Sequence, residues 1–260
     1  MRTRCVAWRL NRSVAALGAL VGCLPALGCS DDSHLLGSAA QAAAPRGEPR
    51  TIGLCSSGAD LELLDQMEDG DGAIEMIAQR GGVWFSFNDE TEGSQLPESD
   101  DETFVMSELV PPRSDSHYAA RSQGHGFTVW GAGIGFELYN QKAYDLSRYA
   151  GITFWARRAP DTATALRFAV SDAATTPRGG QCREYVDYST CSDHFGVDLS
   201  LGTAFRRYSF GWHELAQEGW GEPHPNSIDT SRVYGVRFQT DPVEAFDFWI
   251  DDIALLCHPE

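Results

Sequence analysis

From residue 51 onward, apolar and polar residues alternate over short stretches, and each stretch ends at Gly, Asp, Ser or Pro. No window keeps a long 3.6-residue period, so the pattern predicts strands. The candidates are Leu61–Met67, Gly82–Phe87, His117–Ser122, Phe127–Leu138, Gly151–Arg157, Ala165–Val170, Phe195–Leu199, Phe205–Phe210, Tyr234–Gln239 and Phe246–Leu256. Short helical pieces are expected at Ala73–Gln79, Leu146–Tyr149 and Trp212–Ala216. With no internal repeat and no second domain, these elements fit one all-β fold, a β-sandwich or jelly roll of about ten strands.

The same alternation assigns faces. Along the last candidate strand, Phe246, Phe248 and Ile250 share one face, and Asp247, Trp249, Asp251 and Ile253 share the other. Two adjacent carboxylates, Asp251 and Asp252, precede the apolar run Ile253–Leu256. At least one of them is therefore expected near the core, where a charge needs a partner or a metal.

Residues 1–50 have a different texture. Arg2, Arg4, Arg9 and Arg12 precede an apolar run from Val14 to Gly28 that contains Pro25. A basic start followed by a short apolar run is the layout of a secretory signal, too short and too kinked for a stable membrane span. Its end, Leu24-Pro25-Ala26-Leu27-Gly28-Cys29, resembles a bacterial lipobox, with Ala26 where leucine is usual. Cys29 is thus the expected lipidation site, after a signal peptide at 1–28. Residues 29–50 lack aromatics and read as a flexible tether to a domain at 51–260. Such a protein belongs in the bacterial cell envelope, exported and lipid-anchored at the outer membrane or cell surface.

Charge narrows the partners. The chain carries 20 Lys+Arg against 37 Asp+Glu, with Lys142 its only lysine. Nucleic-acid binding needs cations to neutralise phosphates and is excluded as a leading idea. Removing residues 1–28 takes away four Arg and no acid, leaving sixteen cations against 37 acids, a formal charge of −21. Membrane attachment would then rest on acyl chains, not on a basic patch. Of the seven cysteines, Cys5 and Cys23 leave with the signal and Cys29 takes the lipid. Four remain, an even number in an oxidising compartment, and we expect the pairs Cys182–Cys191 and Cys55–Cys257.

An ordered set of segments carries a resemblance. It comprises Asp65–Gly72, Val83–Asp89, Tyr149–Ala156, Leu166–Asp172 and Phe248–Ile253. Over residues 61–256 the chain resembles the galactose-binding-like jelly roll of carbohydrate-binding modules, of the family-11 type. The resemblance implies one structural calcium between the first strand's end and the last strand. Its ligands would be Glu68 and Asp251, with Asp69 and Asp252 as weaker candidates. An EF-hand starting at Asp69 fails, because position 12 is Arg80. The resemblance also implies a polysaccharide ligand, β-glucan-like, on a concave face. Aromatic rings stack on pyranoses while carboxylates, amides and arginines read hydroxyls. The candidates are Trp84 with Asn88 and Asp89, Arg167 and Asp172, and His194 and Gln239. Trp130, Trp155, Trp249, Tyr118 and Tyr188 are further aromatics on or beside strands, for any one of which burial in the core is the commoner role. The loop Thr175–His194, with its cysteine pair, Tyr185 and Tyr188, reads equally as a binding-site rim or as a braced surface loop.

Catalysis finds less support in the sequence. There is no Gly-x-Ser-x-Gly elbow, and His117 and His125 lack zinc-ligand spacing. Gly131, Gly133 and Gly135 sit inside a strand pattern, which marks a bulge or a close backbone approach and not a phosphate loop. Paired carboxylates for glycoside cleavage can arise anywhere among 37 acids. A small glycan-cleaving enzyme and a structural lipoprotein with a protein partner are therefore the competing readings.

Overall fold

The structure, a computed structural model, describes residues 52–99, 103–185 and 189–259. The expected signal peptide, the tether, Cys29 and Tyr188 lie outside the described residues. Among the described residues, twelve strands occur in the order β1 (Leu61–Asp65), β2 (Trp84–Asn88), β3 (Ser94–Leu96), β4 (Ser107–Arg113), β5 (Ser116–His125) and β6 (Ala132–Glu137). They continue with β7 (Tyr149–Arg158), β8 (Ala165–Asp172), β9 (Phe195–Ser200), β10 (Arg206–Gly211), β11 (Val233–Thr240) and β12 (Ala245–Cys257). One sheet runs β10-β7-β12-β5-β3, with β1 also on β12 and β4 also on β5; the other runs β2-β6-β11-β8-β9. The two sheets form the sandwich that the alternating pattern predicts.

The differences from the expected elements have physical reasons. Three-residue β3 is too short to show a period. β4 carries Pro111 and Pro112, which argue against a strand and are tolerated because it pairs only with β5. Ala73–Gln79 is not a helix: Ala73 bridges Val83, and Ala78 and Gln79 have φ of 52° and 69°. Leu146–Tyr149 is a turn, and Trp212–Glu214 is a single 3-10 turn. Gly131 has φ +87°, and a Cβ there would lie 2.0 Å from the Thr240 carbonyl oxygen, so the glycine run serves close backbone approach.

Between the sheets lies an aromatic core. Phe154 packs on Phe168 at 4.9 Å and on Phe238 at 5.0 Å, all three fully buried. Cys55–Cys257 and Cys182–Cys191 are both disulfide-bonded. Beside the first disulfide, buried Arg80 donates to Glu62 Oε1 at 2.8 Å, and the Tyr149 hydroxyl donates to the same oxygen at 2.5 Å. Burial pushes the Glu62 carboxyl up, but the bonds from Tyr149, Arg80 and the Cys55 amide outweigh it and leave the pKa below the ordinary range.

Two buried carboxylates behave in the opposite way. Asp65 accepts from Trp84 Nε1 at 2.7 Å and from the Met67 amide at 2.8 Å, yet burial raises its pKa to about 7. Burial likewise raises Asp251 to about 6. Groups raised in the fold contribute stability that is present below their unfolded pKa and is lost as pH rises through the folded value. Groups lowered in the fold, such as Glu62, contribute stability that is lost as pH falls. We therefore expect thermal stability to peak in acidic buffer near pH 4 and to fall from there to about pH 7. Asp65 alone contributes up to about 1.4 kcal/mol per pH unit. Melting curves of Asp65→Asn should show a flatter decline over that range; an unchanged slope would show that Asp65 does not titrate there.

Candidate functional site

The outer face of the β2-β6-β11-β8-β9 sheet is built by cross-strand register. One row runs Phe85, Gly135, Arg237, Ala169, Gly196, and the next runs Phe87, Gly133, Gln239, Arg167, Asp198. Inward neighbours such as Trp84, Ile134, Phe168 and Phe238 fill the core. The glycines and alanine keep the middle of the face low, so Arg237 and Gln239 rise from a floor with Phe85 and Phe87 at its β2 side.

Two loops add walls to this floor. Asp89 Oδ2 accepts the amides of Val129, Trp130 and Gly131 at 2.8, 3.0 and 3.0 Å. Against the upward push of burial, the Thr91 hydroxyl and these amides hold the Asp89 carboxyl well below the usual carboxylate range. The loop so fixed presents Trp130, 42% exposed, stacked on Phe87 at 6.2 Å, with its carbonyl bonded by Gln239 Nε2 at 2.9 Å. Opposite it, Asp193 accepts the amides of Glu218, Gly219 and Gly221 at 2.8, 2.9 and 2.9 Å, and that loop presents Trp220, 55% exposed. The same device, one carboxylate filled by three amides, thus fixes a tryptophan on each wall. Between them lies a cleft of about 400 Å³, closed at one end by Ser189, Cys191 and Ser192 of the second disulfide loop. The exposed indoles offer flat apolar faces, and Arg237 and Gln239 offer polar groups between them, the combination that recognises a sugar ring.

The expected site residues divide accordingly. Gln239 is in the cleft, and Arg167 is on the same face, bonded to Asp198 at 3.0 Å and 3.8 Å from Glu218. Asp89 positions Trp130, and Asn88 beside it bonds Gln95. Trp84 is corrected: it is 3% exposed, stacked among Phe104, Phe136 and Phe238, because its side of β2 faces inward. Asp172 is fully buried, with its oxygens accepting the Ala174, Thr175 and Asp229 amides, so it braces a turn and reads no ligand. His194 is buried too, its Nδ1 2.9 Å from Thr175 Oγ1; desolvation, aided by Arg237 and Arg167, lowers its pKa well below the ordinary value and keeps it neutral.

Phe87, Trp220 and Arg237 join the cleft without a local sequence signal of their own. Arg237 could have been found from Gln239, two positions along the same strand face. Trp220 sits in Gly219-Trp220-Gly221, a large aromatic between two turn residues far from any strand pattern.

The expected calcium corner does not fit a metal as arranged. Asp251 Oδ2 accepts from Arg113 Nε and Ser116 Oγ, both at 2.8 Å, and Asp252 Oδ2 accepts from Arg113 Nη2 at 2.5 Å. Glu68 Oε1 accepts the amides of His117 and Tyr118. The Arg113 guanidinium, packed over Trp155 at 4.7 Å, thus supplies the positive charge among these carboxylates. Asp69 Oδ1 accepts the Asp71 amide in its own turn.

No family model matches the chain, and no curated protein matches it. Solved structures do. The family 11 carbohydrate-binding module of cellulosomal cellulase Lic26A-Cel5E of Clostridium thermocellum superposes with TM-score 0.50 at 12% identity, over 77% of this chain and 96% of that one. CtCBM11 in solution gives 0.51 at 13%, over 79% and 99%. At such identities the likeness establishes the fold: this chain is built on the jelly-roll sandwich shared by these carbohydrate-binding modules.

Proposed function

We propose that the protein is a non-catalytic polysaccharide-binding module, exported and held at the cell envelope through a lipid on Cys29. The observation that carries this reading is the cleft itself, with two exposed tryptophans fixed on facing walls above a floor of Arg237 and Gln239. Rigid walls lower the ordering cost of binding, and each indole can cover one apolar sugar face. The fold it shares with family 11 modules supports the same reading. Binding without cleavage is favoured because, among the described residues, the cleft lining holds no Asp or Glu, whereas glycoside hydrolysis needs two carboxylates.

The test is retardation of the purified protein in native gels containing soluble β-glucan, xylan, mannan or acidic polysaccharides. At least one class should slow it. Trp130→Ala and Trp220→Ala should each weaken that retardation roughly tenfold, from an aromatic contact worth about 1.5 kcal/mol. Both variants should stay folded, each losing under about 1 kcal/mol, since both indoles are partly exposed. Free migration in every gel, or retardation unaffected by either substitution, would refute the reading; released reducing sugar would replace it with the enzyme.

A further inference from the structure

We infer that the cleft selects a carboxylated polysaccharide, one built with uronic acid units, and that Arg237 is the residue that reads the carboxylate. The inference rests on the carbohydrate-binding reading of the cleft and deepens it. Arg237 stands in the centre of the floor with its guanidinium over Phe87 at 5.2 Å and over Phe85 at 5.8 Å. It is the only ionised group among the described lining residues. Among the described residues, its guanidinium makes no hydrogen bond and no ion pair.

The other arginines around this face are engaged. Arg167 bonds Asp198, and Arg178 bonds Glu137. Glu137, the acid whose charge is felt at Arg237, also accepts the Gln141 amide. Burial lowers the pKa of Arg237 to about 10, so the half-buried group stays charged at neutral pH and opens onto the cleft. A half-buried cation gains from an anion, and the guanidinium fork matches a carboxylate bidentately. A neutral glycan would give it only hydroxyls. Gln239 is already engaged in holding Trp130, so Arg237 is the strong donor left on the floor. The stacked indoles would then hold sugar rings on either side of the acidic group.

The experiment compares polygalacturonate, alginate and glucuronoxylan, each beside its carboxyl-reduced form, by retardation of the purified protein and of Arg237→Gln. At least one acidic polymer should be bound, and reduction of its carboxyls should weaken binding about tenfold or more. Arg237→Gln should weaken the acidic complex by a similar factor and the reduced polymer's complex by less, so that the preference for the acidic form shrinks to within about twofold. Equal or tighter binding of the reduced forms or of β-glucan would overturn the inference while leaving the carbohydrate reading standing. So would an Arg237→Gln variant that loses acidic and neutral polymers alike. Binding to none of them, neutral or acidic, would overturn both.

Discussion

Trp84→Ala is expected to lower the unfolding free energy by about 3–5 kcal/mol, the cost of removing a large aromatic side chain from a closed core. Trp84 is 3% exposed and touches Phe104, Phe136 and Phe238, rings that come from a loop and from two strands of the same sheet. Its removal also takes the Nε1 donor from Asp65, a carboxylate with few other donors at that depth. A denaturant titration measures the loss directly. Trp130→Ala, measured in parallel, should cost under about 1 kcal/mol, as expected for a side chain 42% exposed on the surface. If Trp84→Ala kept full stability and lost polysaccharide binding, the face assignment of β2 would be inverted.

The second large effect is expected at Arg113. Its guanidinium bonds Asp251, which is fully buried, and Asp252 on the rim. Arg113→Ala leaves Asp251 without its counter-charge, a loss of about 3–5 kcal/mol for a broken buried pair. Among the described residues, Asp251 Oδ1 already has no hydrogen-bond partner, which leaves little local compensation. Because Arg113 supplies the cation, the parent protein should melt at the same temperature with calcium and with chelator. A fall in the parent's melting temperature under chelator would contradict this account of the corner.

The alternating segments made the fold legible, and the site only in part. Eight of the ten outer-face positions named above lie at period-two spacing along β2, β6, β8 and β11 of one sheet. The alternation cannot say which side is inside when both sides are apolar. In Trp84-Phe85-Ser86-Phe87 each side carries an aromatic, so alternation alone does not separate the buried Trp84 from the outer Phe85 and Phe87. Both disulfide pairs were readable because Cys182 and Cys191 flank one loop while Cys55 and Cys257 bracket the domain. The Arg113–Asp251 bond joins residues 138 positions apart, and no local pattern announces it. Trp220 escaped for a related reason: its place over the cleft depends on Asp193, 27 positions away in the chain and outside any strand.

The most direct test of the central claim follows the tryptophan indole N–H resonances while a retarding oligosaccharide is titrated into the isotope-labelled protein. The signals of Trp130 and Trp220 should move together and saturate at one stoichiometry, while those of buried Trp84 and Trp249 hold still. Movement centred on Trp155 or Trp249, on the outer face of the other sheet, or saturable binding that leaves Trp130 and Trp220 unmoved, would contradict the assignment of the cleft.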